Sequence, residues 1–317
     1  MKKIKDTVRL LNNANNISKC KGLTLDFYEG CEYGCLFCFG NYFTKNFNKA
    51  RGISKYCIEE LKNDILLDEN IKKQIDSGVP ISCGHETDNF QKIEKTHHYM
   101  LSALEIFFDR RIPIVLLTRS DLLLDKEYLK ILKKLASVNK VLVGISLITL
   151  DRELCQILEP LAPSPLQRIE VVKKLKETNV PVFINIRPLI PKIIDKQEAI
   201  SVIREMEKIN VNGYKIGFIK IPKNSPIEYD LIEKISLAVD ISAVELKHHI
   251  SSAIQSEGNS NIGQYSLNTL KAILKQTCIQ KQKIVFPYPH MVDKKLDRHT
   301  CTNCPSGKFN SFLMENI

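Results

Sequence analysis

The chain has 317 residues, of which 44% are hydrophobic and 26% are charged, a composition typical of soluble globular proteins. Its longest mostly apolar stretch, Val141 to Leu150, is shorter than the ~20 residues of a membrane span, and no signal-peptide pattern follows Met1, so we expect a cytoplasmic protein without a membrane partner. The formal net charge of +10 is compatible with nucleic acid as a partner, although lysines spread over the whole chain explain the charge equally well.

Apolar runs alternate with helical patterns along the first two thirds of the chain. Several runs are nearly continuous, as in strands that are buried on both faces. Among the helical patterns, Ser164 begins one with Pro165 in its first turn and Gln167 at the position that can reach back to the cap. Such alternation predicts parallel strands joined by crossover helices. The candidate strands are Leu23–Tyr28, Pro80–Gly84, Pro113–Thr118, Val141–Ile148, Pro181–Leu189 and Tyr214–Ile221.

Six strand–helix units take the chain to about Pro222, and the remainder has a different character. Its pattern is helical through Gln276 and then irregular around Pro287 and Pro289. We therefore predict an α/β fold, a partial (β/α)6 barrel with a C-terminal helical and irregular extension. The barrel is expected to occupy residues 1–222 and the extension residues 223–317.

The ten cysteines are the most informative residues of the chain. Because disulfides are rare in the cytoplasm, closely spaced cysteines there more often bind metal or act in catalysis. Cys31, Cys35 and Cys38 lie close together, directly after the first predicted strand. A structural zinc site takes four ligands and is closed, whereas three cysteines on an iron–sulfur cluster leave one iron open for chemistry. We therefore predict that these three cysteines hold an iron–sulfur cluster.

A second group of cysteines, Cys278, Cys301 and Cys304, lies near the end of the sequence. Pro305 follows the last of them, as in bacterial ferredoxin cluster loops, and two histidines are nearby. Three interpretations stay open for this group. It forms an auxiliary iron–sulfur cluster, a zinc site with histidine as the fourth ligand, or a set of exposed cysteines without a metal.

The CxxxCxxC spacing of Cys31, Cys35 and Cys38, with Phe37 directly before the last cysteine, resembles the signature of the radical S-adenosylmethionine (SAM) superfamily. The resemblance implies a [4Fe–4S] cluster whose open iron chelates the amino and carboxylate groups of SAM. It also implies an electron donor such as flavodoxin or ferredoxin. Reductive cleavage of SAM would then yield methionine and a 5′-deoxyadenosyl radical that abstracts hydrogen from a substrate.

Between about Thr24 and Asp195 the chain resembles the spore photoproduct lyase-like branch of that superfamily. The resemblance implies that Arg119 stands where the lyases have a lysine facing the SAM carboxylate, and arginine can hold a carboxylate through two parallel hydrogen bonds. Contacts with the cofactors are implied at Phe37, Gly84, Thr87, Asp88, Arg119 and Ser146. The motifs that carry the resemblance are Glu29–Cys35, Thr87–Glu94, Thr118–Leu124, Thr149–Leu154 and, most specific to the branch, Leu158–Pro165 with Arg168.

One departure from the lyases concerns hydrogen donation to the substrate. The lyases place a hydrogen-donating cysteine at the position of His85, and Cys83 lies two residues earlier in this chain. Residues two apart on a regular strand share a face, so Cys83 is a candidate catalytic hydrogen donor. The alternative is that Cys83 is a buried cysteine that only packs.

Three functions stay open at this point. The chain is a radical SAM lyase or repair-type enzyme acting on nucleic acid, or it modifies a peptide or small molecule with the help of an auxiliary cluster. The third alternative is an iron–sulfur protein that does not cleave SAM. The substrate is not specified by the sequence, because this superfamily's fold serves many chemistries.

Overall fold

The computed structural model describes residues 11–13, 23–38, 49–78, 80–219, 226–253 and 264–277. A 3₁₀ turn, Leu122–Leu124, follows the sixth strand. The strands β1 to β9 are Leu11–Asn13, Leu23–Leu25, Tyr28–Glu29, Arg51–Gly52, Ile81–Cys83, Ile114–Thr118, Val141–Ser146, Val182–Leu189 and Gly213–Phe218. The helices α1 to α11 are Cys57–Leu67, Glu69–Asp76, Glu94–His97, Tyr99–Asp109, Lys126–Ser137, Arg152–Leu158, Pro165–Glu177, Lys196–Glu207, Pro226–Val239, Ala243–Ala253 and Gln264–Thr277.

A seven-stranded sheet in the order β1-β2-β5-β6-β7-β8-β9 forms the frame of the fold. Six strands of this sheet run parallel to one another, namely β2, β5, β6, β7, β8 and β9. Helices connect them in the alternation that the sequence predicts. The predicted α/β fold is therefore confirmed. The strand β1, which pairs antiparallel with β2 at the edge, was not predicted, because its three residues include two asparagines and carry no strand pattern.

The first predicted strand, Leu23–Tyr28, ends earlier than expected. The strand β2 stops at Leu25, and Tyr28 belongs instead to a two-stranded ribbon formed by β3 and β4. The cause is the buried amide of Asn89, which accepts a hydrogen bond from the Phe27 N–H at 2.8 Å and donates one to the Leu25 carbonyl at 2.9 Å. This side chain takes the place of a strand partner and turns the chain out of the sheet.

The two faces of the parallel strands have different surroundings. One face packs on the helices in the main apolar cluster, which includes Leu116 and Val143 of the sheet and Leu104 of α4. The opposite, inner face has a separate small cluster of Val115, Leu142 and Phe183 with Leu117 beside it. The inner face is therefore apolar at this level on β6, β7 and β8, whereas β2 and β5 present Thr24 and Ser82 on the same face.

Gly144 shows how closely this inner face is filled. A Cβ atom on Gly144 would lie 2.3 Å from the ring of Phe183 and 2.7 Å from the side chain of Leu117. Two residues farther along β7, Ser146 replaces this apolar layer with a hydroxyl group, and Asn185 of β8 is its register partner. On β7 and β8, polar groups thus follow this apolar layer toward the C-terminal ends of the strands.

The predicted helix start at Ser164 is confirmed as a capping box. The Gln167 N–H donates to the Ser164 hydroxyl at 3.4 Å, and the Gln167 side chain accepts from the Ser164 N–H at 2.9 Å. Beyond the barrel, α9 packs on α6 and α11 packs on α8. The division into residues 1–222 and 223–317 stays a prediction. In the part of the chain described above, no helix is long and apolar enough to cross a membrane.

Candidate cluster-binding site

The three predicted cluster ligands lie on one loop, the cluster loop of residues 30–38, which directly follows β3. The Cys35 side chain is buried, while Cys31 and Cys38 are half-buried, and the Cys38 N–H closes a turn onto the Cys35 carbonyl at 3.1 Å. Phe37, between the last two cysteines, is buried in the main apolar cluster. The loop therefore presents three thiols from a fixed backbone.

The donor set of this loop suits a cluster better than a single ion. Within the described ranges, no three His, Cys, Asp or Glu side chains converge on one ion position. The cysteines of a [4Fe–4S] cluster each bind a different iron, so such a cluster does not require its thiols to converge on one position. Burial raises the pKa of the Cys31 thiol to about 11 and that of Cys35 well above its usual value, so a cluster bound to these thiols would have to displace their protons.

One side of the cluster loop is held by the segment Thr87–Glu94. The Glu32 N–H donates to the side-chain oxygen of Gln91 at 2.7 Å, and the Glu32 carboxylate accepts from the Ile93 N–H at 2.8 Å. The same Gln91 side chain, which is fully buried, donates to the Gly30 carbonyl at 3.3 Å. This segment, which is part of the resemblance to the lyases, therefore supports the loop.

The other side of the loop is held by the connection between α6 and α7. The Leu36 N–H donates to the Leu158 carbonyl at 2.9 Å, and the Leu161 N–H donates to the Tyr33 carbonyl at 3.4 Å. The most specific motif of the resemblance therefore lies directly against the cluster loop. It brings Glu159, between these two contacts, to the site.

Arg119 follows β6 and reaches the cluster loop with its side chain. Its Nη1 lies 2.6 Å from the Cys35 sulfur and 2.5 Å from a carboxylate oxygen of Glu159. The side chain of Arg119 is 17% exposed, and among the described residues its Nε and Nη2 donate no hydrogen bond. The guanidinium thus touches a predicted cluster ligand with one nitrogen, and its Nε and Nη2 are two further donors.

Glu159 has a buried carboxylate that is shared between two arginines. Its second oxygen lies 2.6 Å from Nη2 of Arg168, whose side chain is 1% exposed. Burial alone would raise the pKa of Glu159, but the guanidinium groups of Arg168 and Arg119 lower it below its usual value. Arg168 is itself fixed, because it donates to the carbonyls of Pro163 at 2.8 Å and Ser146 at 2.9 Å. The carboxylate is therefore charged and anchored.

Asp88 was predicted as a cofactor contact, and the structure places it beside β6. Its carboxylate accepts hydrogen bonds from the Thr118 hydroxyl, from the Arg119 N–H at 2.9 Å and from the Phe90 N–H at 2.9 Å. Burial is the main reason that its pKa is raised. The arrangement orders the backbone under Arg119, and a direct contact between Asp88 and SAM stays a prediction.

Thr87 and Gly84 lie on the loop that follows β5. The half-buried Thr87 donates through its hydroxyl to the Tyr28 carbonyl at 3.2 Å, so it lies next to the start of the cluster loop. Gly84 has a φ of +84°, and a Cβ there would lie 2.2 Å from the Leu117 carbonyl oxygen. Gly84 thus has a structural reason to be glycine, and its predicted cofactor contact, like that of Thr87, stays a prediction.

Ser146 ends β7 beside Asn185 of β8. The Asn185 amide nitrogen donates to the Ser146 hydroxyl at 3.1 Å, while the Asn185 amide oxygen is buried and has no hydrogen-bond partner among the residues that the structure describes. Such an orphan polar atom at the C-terminal ends of the strands marks a place where a bound molecule can complete the hydrogen bonding. Ser146 therefore lies in a polar setting suited to its predicted role as a SAM contact.

Cys83, the candidate hydrogen donor, is 1% exposed within the main apolar cluster. Its register partners are Leu25 and Leu116, which share its face of the sheet. That face packs on the helices, opposite the inner cluster around Phe183. The placement favours packing as the role of Cys83, and its role as a hydrogen donor stays a prediction.

Two residues that carry the geometry of this site were not predicted as site residues. Glu159 and Arg168 were noted only within the branch-specific motif, and the signal that could have identified them is a glutamate between Leu158 and Pro160 in an otherwise apolar run. Asn185 had no signal at all. The predicted second site at Cys278, Cys301 and Cys304 lies outside the described residues.

Comparisons with known proteins agree with this geometry. The family model of the Radical SAM superfamily matches residues 25–204, more than half of the chain. An uncharacterized protein of Methanocaldococcus jannaschii is 26% identical over 211 residues, which are 65% of this chain and 77% of that protein. An uncharacterized protein of Mycobacterium tuberculosis is 22% identical over 177 residues, and the chain spans about half (52%) of its length.

Solved structures with the same fold include two radical SAM enzymes. Spore photoproduct lyase complexed with dinucleoside spore photoproduct has a TM-score of 0.62 at 12% identity, over 88% of this chain and 80% of that one. A radical SAM methyltransferase from Kitasatospora setae with tryptophan and a SAM analogue has a TM-score of 0.52 at 9% identity, over 92% and 58% of the two chains. The predicted partial barrel and the resemblance to the lyases are therefore confirmed at the level of the fold. The chain belongs to the radical SAM superfamily, whose cofactors are a [4Fe–4S] cluster and SAM.

Proposed function

We propose that this protein is an enzyme that cleaves SAM reductively and uses the resulting radical to abstract a hydrogen atom from a substrate. The observation that carries the proposal is the cluster loop, which is held on both sides at the C-terminal ends of parallel strands and has Arg119 beside Cys35. The chemistry supplied by the bound cofactors is the transfer of one electron to SAM, which breaks a sulfur–carbon bond and yields methionine and a 5′-deoxyadenosyl radical.

The residues of the site divide between holding the cluster and orienting SAM. Cys31, Cys35 and Cys38 supply the three thiolates. Arg119 would direct its Nε and Nη2 at the SAM carboxylate, since a guanidinium can hold a carboxylate with two parallel hydrogen bonds. Ser146 would contact SAM at the end of β7, next to the orphan amide oxygen of Asn185.

We propose nucleic acid as the substrate class to test first and a flavodoxin or ferredoxin as the electron donor. Two observations support nucleic acid, namely the fold shared with a lyase whose solved complex contains a dinucleoside and the net charge of +10. A nucleic acid ligand predicts binding that weakens steeply with salt, because released counterions contribute to its affinity. The presence of His85 at the position of the lyases' donor cysteine points to a different route for returning hydrogen to the substrate.

The test of the enzymatic proposal is anaerobic reconstitution with iron and sulfide, followed by reduction in the presence of SAM. We expect bound iron at the level of one [4Fe–4S] cluster or more and the formation of 5′-deoxyadenosine. Single replacements of Cys31, Cys35 and Cys38 by alanine should abolish the formation of 5′-deoxyadenosine. Cys57→Ala is the matched control, because Cys57 is a buried cysteine of α1 outside the cluster loop.

Two outcomes would contradict this proposal. Formation of 5′-deoxyadenosine at the same rate in the Cys35→Ala variant would show that the loop does not hold the active cluster. A fully assembled cluster that cleaves no SAM, with nucleic acid and peptide candidates also present, would favour an iron–sulfur protein without this activity. Iron in excess of one cluster would support an auxiliary cluster at the terminal cysteines.

A further inference from the structure

We infer that Glu159 is a positioning residue that holds the Arg119 guanidinium against Cys35, and that the Arg119–Cys35 hydrogen bond raises the reduction potential of the cluster. The inference rests on the proposed function, because it concerns the cluster that Cys35 would help to hold. It goes beyond the proposed function by assigning a role to a glutamate whose carboxylate contacts Arg119 and Arg168.

The geometry of Arg119 is the first step of the argument. A single nitrogen, Nη1, contacts both the Cys35 sulfur at 2.6 Å and the Glu159 carboxylate at 2.5 Å. A guanidinium on a long flexible side chain loses considerable rotamer entropy when it is held in one place. The buried, charged carboxylate of Glu159 supplies the interaction that holds this nitrogen at the sulfur.

The anchoring of Glu159 is the second step. Its carboxylate is fully buried and is paired on its other side with Arg168, which is fixed by the carbonyls of Pro163 and Ser146. Because Arg168 is 1% exposed and Arg119 is 17% exposed, Arg168 is the rigid partner and Arg119 the adjustable one. If the Glu159 carboxylate moves away from Arg119, the Arg119 side chain will therefore lose the interaction that holds it in place.

The effect on the cluster is the third step. A reduced cluster carries one more negative charge than the oxidised cluster, and a hydrogen bond from a cation to a cysteine sulfur stabilises the more negative state. Hydrogen bonds to the sulfurs are among the factors that set the reduction potentials of such clusters. Loss of the Arg119–Cys35 contact should therefore shift the midpoint potential to a more negative value.

The decisive variant is Glu159→Asp, which keeps the negative charge but shortens the side chain by one methylene. If Glu159 acts only through its charge, this variant should have the wild-type potential. Because the shortened carboxylate stays with the fixed Arg168, we expect it to release Arg119. The midpoint potential of the reconstituted cluster, titrated without SAM and followed by electron paramagnetic resonance, should then be more negative than that of the wild type.

Making Glu159→Asp in an Arg119→Met variant shows whether Glu159 influences the midpoint potential through Arg119 or by another route. With Arg119 absent, Glu159 has no guanidinium to hold at Cys35, so adding Glu159→Asp should produce no further shift of the midpoint potential. An equal shift in both backgrounds, or no shift in the single variant at full iron content, would overturn the inference. In either case formation of 5′-deoxyadenosine could still support the proposed function.

If the Glu159→Asp variant assembles no cluster, a second variant tests the other part of the inference, the effect of the Arg119–Cys35 hydrogen bond on the reduction potential. Arg119→Lys keeps the positive charge but replaces the planar guanidinium by one ammonium group, so it cannot reproduce the contact geometry at Cys35 and Glu159. We expect a more negative midpoint potential here too, and an unchanged potential would overturn the inference. A wild-type chain that assembles no cluster would overturn both this inference and the proposed function.

Discussion

The carboxylate of Asp88 accepts a hydrogen bond from the Thr118 hydroxyl at 2.8 Å, which joins the loop after β5 to the end of β6. The same carboxylate accepts the Arg119 N–H at 2.9 Å. It therefore fixes the backbone position from which the Arg119 side chain reaches Cys35. The buried carboxylate of Asp88, which does not itself contact a predicted cluster ligand, thus helps to position Arg119 beside Cys35.

Replacing Asp88 by alanine should lower the free energy of unfolding by about 3 kcal/mol, because buried donors left without an acceptor lose ~1–3 kcal/mol each. Asp88→Asn keeps one acceptor oxygen, and we expect a loss of about 1 kcal/mol for it. Urea unfolding of both variants and the wild type measures the difference. Equal stability of all three proteins would contradict the structural role of the Asp88 carboxylate.

Gly84→Ala should destabilise the protein much more than an alanine substitution at a glycine where the positive φ is the only unfavourable feature. Gly84 and Gly78 both have positive φ values, of +84° and +76°. A Cβ on Gly84 would lie 2.2 Å from a backbone oxygen, whereas a Cβ on Gly78 would have no described residue beyond its chain neighbours within 4 Å. Gly78→Ala is therefore the matched control, with an expected loss of about 1 kcal/mol. Gly84→Ala should lose about 2 kcal/mol more, because the sheet must move. Similar melting temperatures for the two variants would be evidence against the close approach.

The stability of the protein should depend on pH through Asp26. Burial, followed by the nearby charge of Glu86, raises the pKa of the Asp26 carboxyl to about 8 against the opposing effect of two backbone hydrogen bonds. An unfolded aspartate loses its proton near pH ~4, so between about pH 5 and pH 8 the unfolded chain has released a proton that folded Asp26 still holds. This group therefore destabilises the folded state progressively as the pH rises through that range.

The variant Asp26→Asn removes this titration and keeps a side-chain acceptor for the loop after β5. We expect its melting temperature, relative to that of the wild type, to increase steadily from pH 5 to pH 8. The comparison at each pH cancels the contributions of other groups, including Asp88. A difference in melting temperature that is constant over this range would show that Asp26 titrates at its ordinary pKa.

Cys83→Ala should retain the iron content and the SAM cleavage of the wild type, in contrast to Cys35→Ala. The reason is that Cys83 lies in the apolar cluster with Leu25 and Leu116, on the face of the sheet that packs on the helices. The cavity should lower the free energy of unfolding by about 1 kcal/mol. Iron analysis and 5′-deoxyadenosine assays on the two variants decide the point, and a parallel loss of both in Cys83→Ala would place Cys83 in the reactive site.

The sequence by itself was sufficient to establish the parallel frame and to predict the cluster ligands. Strands buried on both faces leave continuous apolar runs, such as that of β7, and a capping box such as that of Ser164 is a local pattern of four residues. The spacing of Cys31, Cys35 and Cys38 is equally local. Each of these features depends on residues close together in the chain, and all were therefore readable before any fold was known.

The contacts that give those cysteines their surroundings were decided by the tertiary structure. Arg119 is 84 residues from Cys35 in the sequence, and Glu159 is 40 residues from Arg119. Asn89 ends β2 from 62 residues away, which is why the first strand was predicted too long. Hydrogen bonds and ion pairs of buried groups depend on the distance and direction between side chains brought together by folding, and no periodicity or spacing within one segment encodes that geometry.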